Sequence, residues 1–233
     1  MIKTKKNYLF LFLILFSVYC AISISQAWDE GHLLLQGEIV IKYLLSLGNV
    51  NEEIFAREYY SPIYYSLKYL FIQIFSTKYQ IEANHVTNLF FSLCTIVGIK
   101  KLSKELFNDK VGIIVLLILF FYPAFNGHMG FNSKDTILAL CHVWIFYLSI
   151  KYLKNQHNKK KTNNYINYIA ILASVGSGIN LYFLGSLIPL FVFLILDFFI
   201  FKKIISKKFN SKRLLINLLY GFLIFYLLLV IFW

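Results

Sequence analysis

The chain has 233 residues, of which 59% are apolar and only 15% charged, with a mean hydropathy of +0.66. Ordinary soluble domains hold about 45–50% apolar and about 25% charged residues, so this composition excludes a water-soluble domain. The 24 Phe and 17 Tyr stand in long runs interrupted by only 3 Pro, which points to an all-α polytopic membrane protein rather than a sandwich or barrel. The net charge of +12 raises nucleic acid as a partner, but its distribution along the chain argues against it.

In chain order, apolar runs at residues 8–27, 83–99, 111–126, 136–150, 165–183, 185–201 and 214–233 are each about long enough to cross a ~30 Å hydrocarbon core. That makes about seven transmembrane helices within a single transmembrane domain, 1–233. The first run follows Lys3, Lys5 and Lys6 and ends in Ser25-Gln26-Ala27, which fits either a membrane anchor or a secretory signal peptide. Its length, about 18 residues against ~7–15 for a signal core, favours an uncleaved anchor. Both readings put Trp28 outside.

The first outer loop, 28–61, is the longest polar stretch. From Asp29 onward, Leu33, Leu34, Ile41, Leu44 and Leu45 recur at helical spacing, with Glu30, Glu38 and Lys42 toward the other side. Asp29 is placed to cap that helix. Residues 62–75 form an apolar run of only ~14 residues that carries Lys68 and Gln73, a composition suited to the interface rather than to crossing. Two amphipathic helices are therefore expected along the outer surface, at about 30–46 and 62–75, joined by the acidic segment 51–60. A second outer loop spans 126–135. The lysine/asparagine tract at 155–164 reads as a flexible inner loop.

Charge fixes the sidedness. With 62–75 in the interface, the basic clusters at 3–6, 100–110, 151–161 and 202–213, holding 18 of the 23 Lys and Arg, share one side. Asp29, Glu30, Glu38, Glu52, Glu53, Glu58, Glu82 and Asp135 then collect on the other. This is the positive-inside pattern of a multi-pass protein with a cytoplasmic N-terminus, and the lysines serve orientation and lipid contact, not nucleic acid. Cys20, Cys94 and Cys141 fall inside apolar runs and read as small buried hydrophobes.

Ionisable groups at a membrane edge are functional candidates because they are costly to place there. Two groups qualify: Trp28-Asp29-Glu30-Gly31-His32, and the second outer loop with His128, Asn132, Lys134 and Asp135. The carboxylates also suit helix capping. Their convergence from two loops onto one face favours chemistry, in which a carboxylate is a general base or holds a divalent cation and a neighbouring lysine neutralises phosphate. His32, His85, His128 and His142 lack metal-ligand spacing, so a metal is left unassigned. Asp197, beside Lys202 and Lys203, is explained by pairing or snorkelling.

These residues together resemble a family. An N-terminal anchor, an aromatic-Asp-Glu opening a large outer loop, an amphipathic helix, Ser61-Pro62-Ile63-Tyr64-Tyr65 leading into an interfacial helix, and a membrane-edge Asn132-Ser133-Lys134-Asp135 are similar to the C-type glycosyltransferase superfamily. The resemblance is to its protein O-mannosyltransferase and lipid A aminoarabinose transferase branch, with Ser174 to Gly185 resembling that family's glycine-rich turn. It implies a membrane glycosyltransferase that moves a sugar from a polyprenyl-phosphate donor to an acceptor on the outer face. It further implies that Asp29, Glu30 and Asp135 are catalytic and that Lys134, His128, Asn132 and Tyr64 bind substrate. No cofactor is required by it, a divalent cation being compatible, and the partners are the lipid-linked sugar and membrane lipid.

The alternatives are a lipid or sugar transporter and a non-catalytic membrane fragment. Because the chain stops at Trp233 inside an apolar run and relatives are longer, the resemblance implies the front part of a larger enzyme. The bias of 21 Lys to 2 Arg, with many Ile, Asn, Phe and Tyr, suggests an AT-rich genome and hence a bacterial inner membrane rather than the endoplasmic reticulum.

Overall fold

The structure, a computed structural model, describes residues 2–49, 62–156, 158–202, 204 and 209–232. Among these there is no strand: the chain is an all-α membrane protein of eleven α-helices. They are α1 Ile2–Ser23, α2 Glu30–Leu45, α3 Pro62–Ile72, α4 Gln80–Leu106, α5 Asp109–Phe121, α6 Pro123–His128, α7 Ser133–Lys154, α8 Lys159–Ile179, α9 Phe183–Ser186, α10 Ile188–Leu196 and α11 Ser211–Phe232. Two compact units result. One carries α1 to α6 and α7 through Ile137, and the other carries α7 from Leu138 with α8 to α11.

Four helical stretches among the described residues are long and apolar enough to cross a membrane: Thr77–Leu106, Ser133–Lys154, Phe183–Phe201 and Ser211–Val230. Three of the seven expected spans fall short of that measure. The apolar part of α1, Tyr8–Ser23, is too short. The expected run 111–126 is broken in two, because Pro123 forces Tyr122 into an extended conformation (φ −74°, ψ 111°). What remains, the 13-residue α5, is only about 20 Å long. Asn126 closes the break by donating to the carbonyl of Phe120 at 2.6 Å. In α8 the first turns hold Lys159–Lys161 and two asparagines, so the apolar stretch begins only at Tyr165.

The two first-loop helices form close to where the hydrophobic pattern put them, as α2 and α3, while the acidic segment 51–60 and Ser61 lie outside the described residues. Their packing differs from expectation. The buried stripe of α2 is Glu30, Leu33 and Gly37, whereas Leu44 and Leu45 are exposed. Gly37 decides this. A Cβ there would lie 2.2 Å from the carbonyl oxygen of Tyr65, so the missing side chain is what lets α2 and α3 approach backbone to backbone. Gly176 likewise serves packing rather than a turn: Ser174 to Gly178 are helical, and Gly176 receives the ring of Phe183, with the chain reversing only at Asn180–Tyr182.

In the first unit α4 is the central post. Its Leu89 and Ile96 meet Leu13 and Ala21 of α1, Leu116 and Phe120 of α5, and Met129. In the second unit α8 and α11 pair closely enough that a Cβ on Gly221 would lie 2.9 Å from a methyl of Ile166. Asp197 accepts from the amide of Ile204 at 3.0 Å, across a turn in which Lys202 is left-handed (φ 50°). This buried carboxylate holds a turn through a backbone amide, a contact other than the lysine pairing or snorkelling expected from sequence.

Gly37→Ala should drive a methyl into the Tyr65 carbonyl and cost about 1–3 kcal/mol. Thermal unfolding in detergent should show a lower midpoint for Gly37→Ala, whereas Gly127→Ala, with nothing within 4 Å of the new methyl, should leave it in place.

Candidate functional site

The turn Ala27–Glu30 positions the first candidate group, but the capping roles are exchanged. Asp29 occupies the N-cap position of α2 in a helical conformation (φ −86°, ψ −17°), from which its side chain makes no capping bond. Extended backbone is what lets a cap fold its oxygen back. Glu30 does the work instead, its Oε2 accepting from the amide of Ala27 at 2.7 Å.

Glu30 is 2% exposed, and both its carboxyl oxygens have polar partners. Oε1 accepts from Nδ2 of Asn84 at 2.7 Å, and Oε2 meets Nε2 of His85 at 2.9 Å. The other ring nitrogen of His85, Nδ1, lies 2.9 Å from the carbonyl of Ala21. A carbonyl only accepts, so Nδ1 carries a proton, and the contact between His85 and Glu30 needs one further proton shared between them. His85 is fully buried. A buried carboxyl group with two amide donors and the His85 ring around it is the arrangement that offsets its loss of water.

Asp29 and Trp28, by contrast, face out, Trp28 being fully exposed. Lys68 of α3 is buried close to both carboxylates. Burial pushes it down to about 8, and Glu30 and then Asp29 pull it partly back. Four residues before that lysine, Tyr64 packs edge-on to Tyr65 and to Phe91 of α4, with ring centroids 5.3 and 6.2 Å apart. Its hydroxyl is buried without a hydrogen-bond partner, and burial pushes that phenol well up.

The second candidate group is a helix start. Oδ1 of Asn132 accepts from the amide of Asp135 at 3.2 Å, and its Nδ2 donates to Oδ2 of Asp135 at 2.9 Å. Asn132 thus caps α7, and Nδ2 also lies 3.3 Å from Nδ1 of His128, whose ring packs on Phe131. Asp135 is exposed and Lys134 half-buried. The loop is pinned to the first unit at its middle: the carbonyl of Met129 accepts from Ser92 at 3.0 Å and Asn88 at 3.4 Å, and Gly130 lies against the backbone of Ala21.

Both groups are therefore fastened to the same stretch of α4. Asn84 and His85 hold Glu30, and one and two turns on, Asn88 and Ser92 hold the second loop. Ala21 joins them, its carbonyl bound by His85 and its Cα packed on Gly130. Among the described residues no hydrogen bond links Asp29 or Glu30 to Asp135, and no group of three His, Cys, Asp or Glu is close enough to hold a metal ion. The sequence reading missed Asn84, His85 and Lys68 as parts of the site. The signal was present as a polar stripe, Asn84, Asn88, Ser92 and Thr95, along one face of an otherwise apolar helix.

An all-α membrane chain with acidic groups gathered at helix ends fits the class of membrane glycosyltransferases, and comparison with known families agrees. A model described as dolichyl-phosphate-mannose-protein mannosyltransferase matches residues 61–233. The chain belongs to the dolichyl-phosphate-mannose-protein mannosyltransferase family. The match includes α3, α4 and the second loop, while Trp28-Asp29-Glu30 precedes it. No curated protein and no solved structure matches the chain.

Two outcomes follow from this geometry. Removing either partner of the buried pair, Glu30→Ala or His85→Ala, should destabilise the protein by about 3–5 kcal/mol, and a double-mutant cycle on thermal midpoints should show the two losses to be strongly non-additive. For Lys68, the folded value near 8 lies below the ordinary 10.5, so between those pH values the unfolded chain holds a proton that the native one lacks. Stability should therefore rise with pH across that window, by about 3 kcal/mol at one unit per 1.36 kcal/mol, and the full cost of the buried charge is felt below it. Denaturation from pH 7.5 to 10.5 should show a rise in the native protein that Lys68→Met abolishes.

Proposed function

We propose that the chain transfers a sugar from a polyprenyl-phosphate donor to an acceptor at the outer face of the membrane, with Asp29 as the general base. The observation that carries this reading is the contrast between adjacent carboxylates. Glu30 is buried and occupied by three polar partners, while Asp29, on the same pinned turn, presents an exposed side chain with no hydrogen bond among the described residues. One carboxylate is spent on position and its neighbour is left for chemistry.

The reaction makes two electrostatic demands. As the acceptor hydroxyl attacks the anomeric carbon it loses a proton, which Asp29 takes, and the bond from that carbon to the phosphate oxygen breaks with its electron pair leaving on the phosphate. The departing phosphate needs cationic stabilisation. Lys134 supplies it from the second loop, and His128, whose Nδ1 faces the Asn132 amide, adds a neutral hydrogen-bond donor at its other ring nitrogen, with Asn132 and Asp135 fixing the loop's geometry and Asp135 serving as the second carboxylate. Tyr64 offers the substrate a buried, unpartnered hydroxyl.

Beside it, a groove of about 560 Å³ between α3 and α4, walled by Phe71, Phe75, Phe90 and Phe91 among others, suits an isoprenoid chain. Transfer is favoured over transport because Asp29, Glu30, His85 and Asp135 all lie at or near helix starts, whereas transport sites sit near the middle of the bilayer.

Asp29→Asn should lower transfer of radiolabelled sugar from polyprenyl phosphate about 10²–10⁴-fold without moving the thermal midpoint, since Asp29 is exposed. Undiminished transfer would remove Asp29 from the mechanism. Lys134→Gln should slow the same transfer about 10²–10³-fold.

A further inference from the structure

The second unit holds two hollows that meet at one residue. The first is an apolar slot of about 520 Å³ between α7, α8, α10 and α11, with Ile166 and Ala170 on one wall and Leu190, Leu218 and Phe222 on others. The second, of about 550 Å³, lies at the starts of α8 and α11 and is lined by Lys159, Asn163, Asn210, Lys212 and Arg213. Asn217 lines both. It is buried and anchored through Nδ2 to the hydroxyl of Tyr152 at 3.1 Å.

The polar hollow is built, not merely basic. Arg213 donates from one Nη to the carbonyl of Gln156 and from the other to Oγ1 of Thr162, a fully buried residue. Oδ1 of Asn210 caps α11 through the amide of Arg213 at 2.9 Å, and the Asn210 amide donates to Oε1 of Gln156 at 2.9 Å. Gln156 is itself 2% exposed, and its Nε2 is buried without a partner. The three cations of the hollow face no carboxylate in its lining. Such a place favours an anion, and the adjoining slot favours a hydrocarbon chain.

We propose that this composite hollow is a binding site for an anionic phospholipid, its phosphate held by Lys159, Lys212 and Arg213 and an acyl chain lying in the slot between α8 and α11. With the basic loops on the cytoplasmic side, the lipid belongs to the inner leaflet, apart from the chemistry assigned to the outer face. The inference does not depend on the transferase mechanism, because lipid occupancy is read without any turnover.

The test is lipid-dependent thermal unfolding of the full chain in a neutral detergent, with added phosphatidylglycerol, phosphatidylcholine or a polyprenyl phosphate. Phosphatidylglycerol should raise the midpoint by roughly 5–10 °C at a hundredfold excess over its Kd, and phosphatidylcholine should not. The double variant Lys159→Gln/Lys212→Gln, both exposed positions, should keep the lipid-free midpoint and lose most of the shift. Lys101→Gln/Lys110→Gln, which removes the same charge from another basic loop, should retain it, and Leu218→Trp, which fills the slot, should reduce it. Equal loss in both lysine pairs would mean general charge attraction and overturn the site. So would stabilisation by polyprenyl phosphate alone, which would make the hollow a donor site, or no response to any lipid.

Discussion

A carboxylate removed from water has to recover its hydration from fixed donors, and the way Glu30 does so dictates the arrangement around it. Its two oxygens collect the Ala27 amide, the Asn84 amide group and the His85 ring, and the ring's far nitrogen reaches the carbonyl of Ala21. These four attachments come from the end of α1, the turn into α2 and the first turns of α4. Between apolar helices in lipid, burial supplies little preference for one register over another, because hydrocarbon tails are as apolar as leucine. Hydrogen bonds to a buried charge have one good geometry. The register of α1, α2 and α4 is therefore carried by this contact, with the apolar cluster of Leu13, Leu89, Ile96, Leu116 and Phe120 filling the space it defines.

How much of this is legible in the sequence depends on whether the signal is local. Hydrophobic runs and their lysine boundaries give the helices, and α2 and α3 fall close to the expected limits because amphipathic spacing is a property of consecutive residues. Tyr122-Pro123 was equally readable as a break, yet an apolar count passes over a single proline. The packing face of α2 is not local. Leu44 and Leu45 look like core from the pattern, but the partner surface is set by the one place where two backbones can touch, at Gly37. The same holds for the site. Asp29 and Glu30 announce themselves as a pair of acids after a membrane run, but which one is buried depends on Asn84 and His85, more than fifty residues on.

The polar stripe of α4 shows how far a sequence signal can be sharpened by physical cost. Asn84, His85, Asn88 and Ser92 would each be expensive inside an apolar bundle unless satisfied. Two of them answer to Glu30, and the other two converge on the carbonyl of Met129, holding the short turn between α6 and α7. The turn that sets His128, Lys134 and Asp135 in place is thus held by these anchors together with the Asn132 cap of α7.

The second unit uses the same device with opposite charge. Arg213 is threaded among Gln156, Thr162 and Asn210 at the start of α8 and α11, and beyond it the helices pack by close approach of Gly221 to Ile166. A buried network tied to a cation leaves the rest of that cation's field unneutralised, and among the described residues no carboxylate lines the hollow to balance it. Where Glu30 has polar groups of the protein at both oxygens, Arg213 has neutral acceptors only, and with Lys159 and Lys212 it meets no carboxylate among the described lining residues. An excess of fixed charge at a helix end, opening onto a slot of hydrocarbon dimensions, is a complement to an amphiphile rather than a finished piece of protein core.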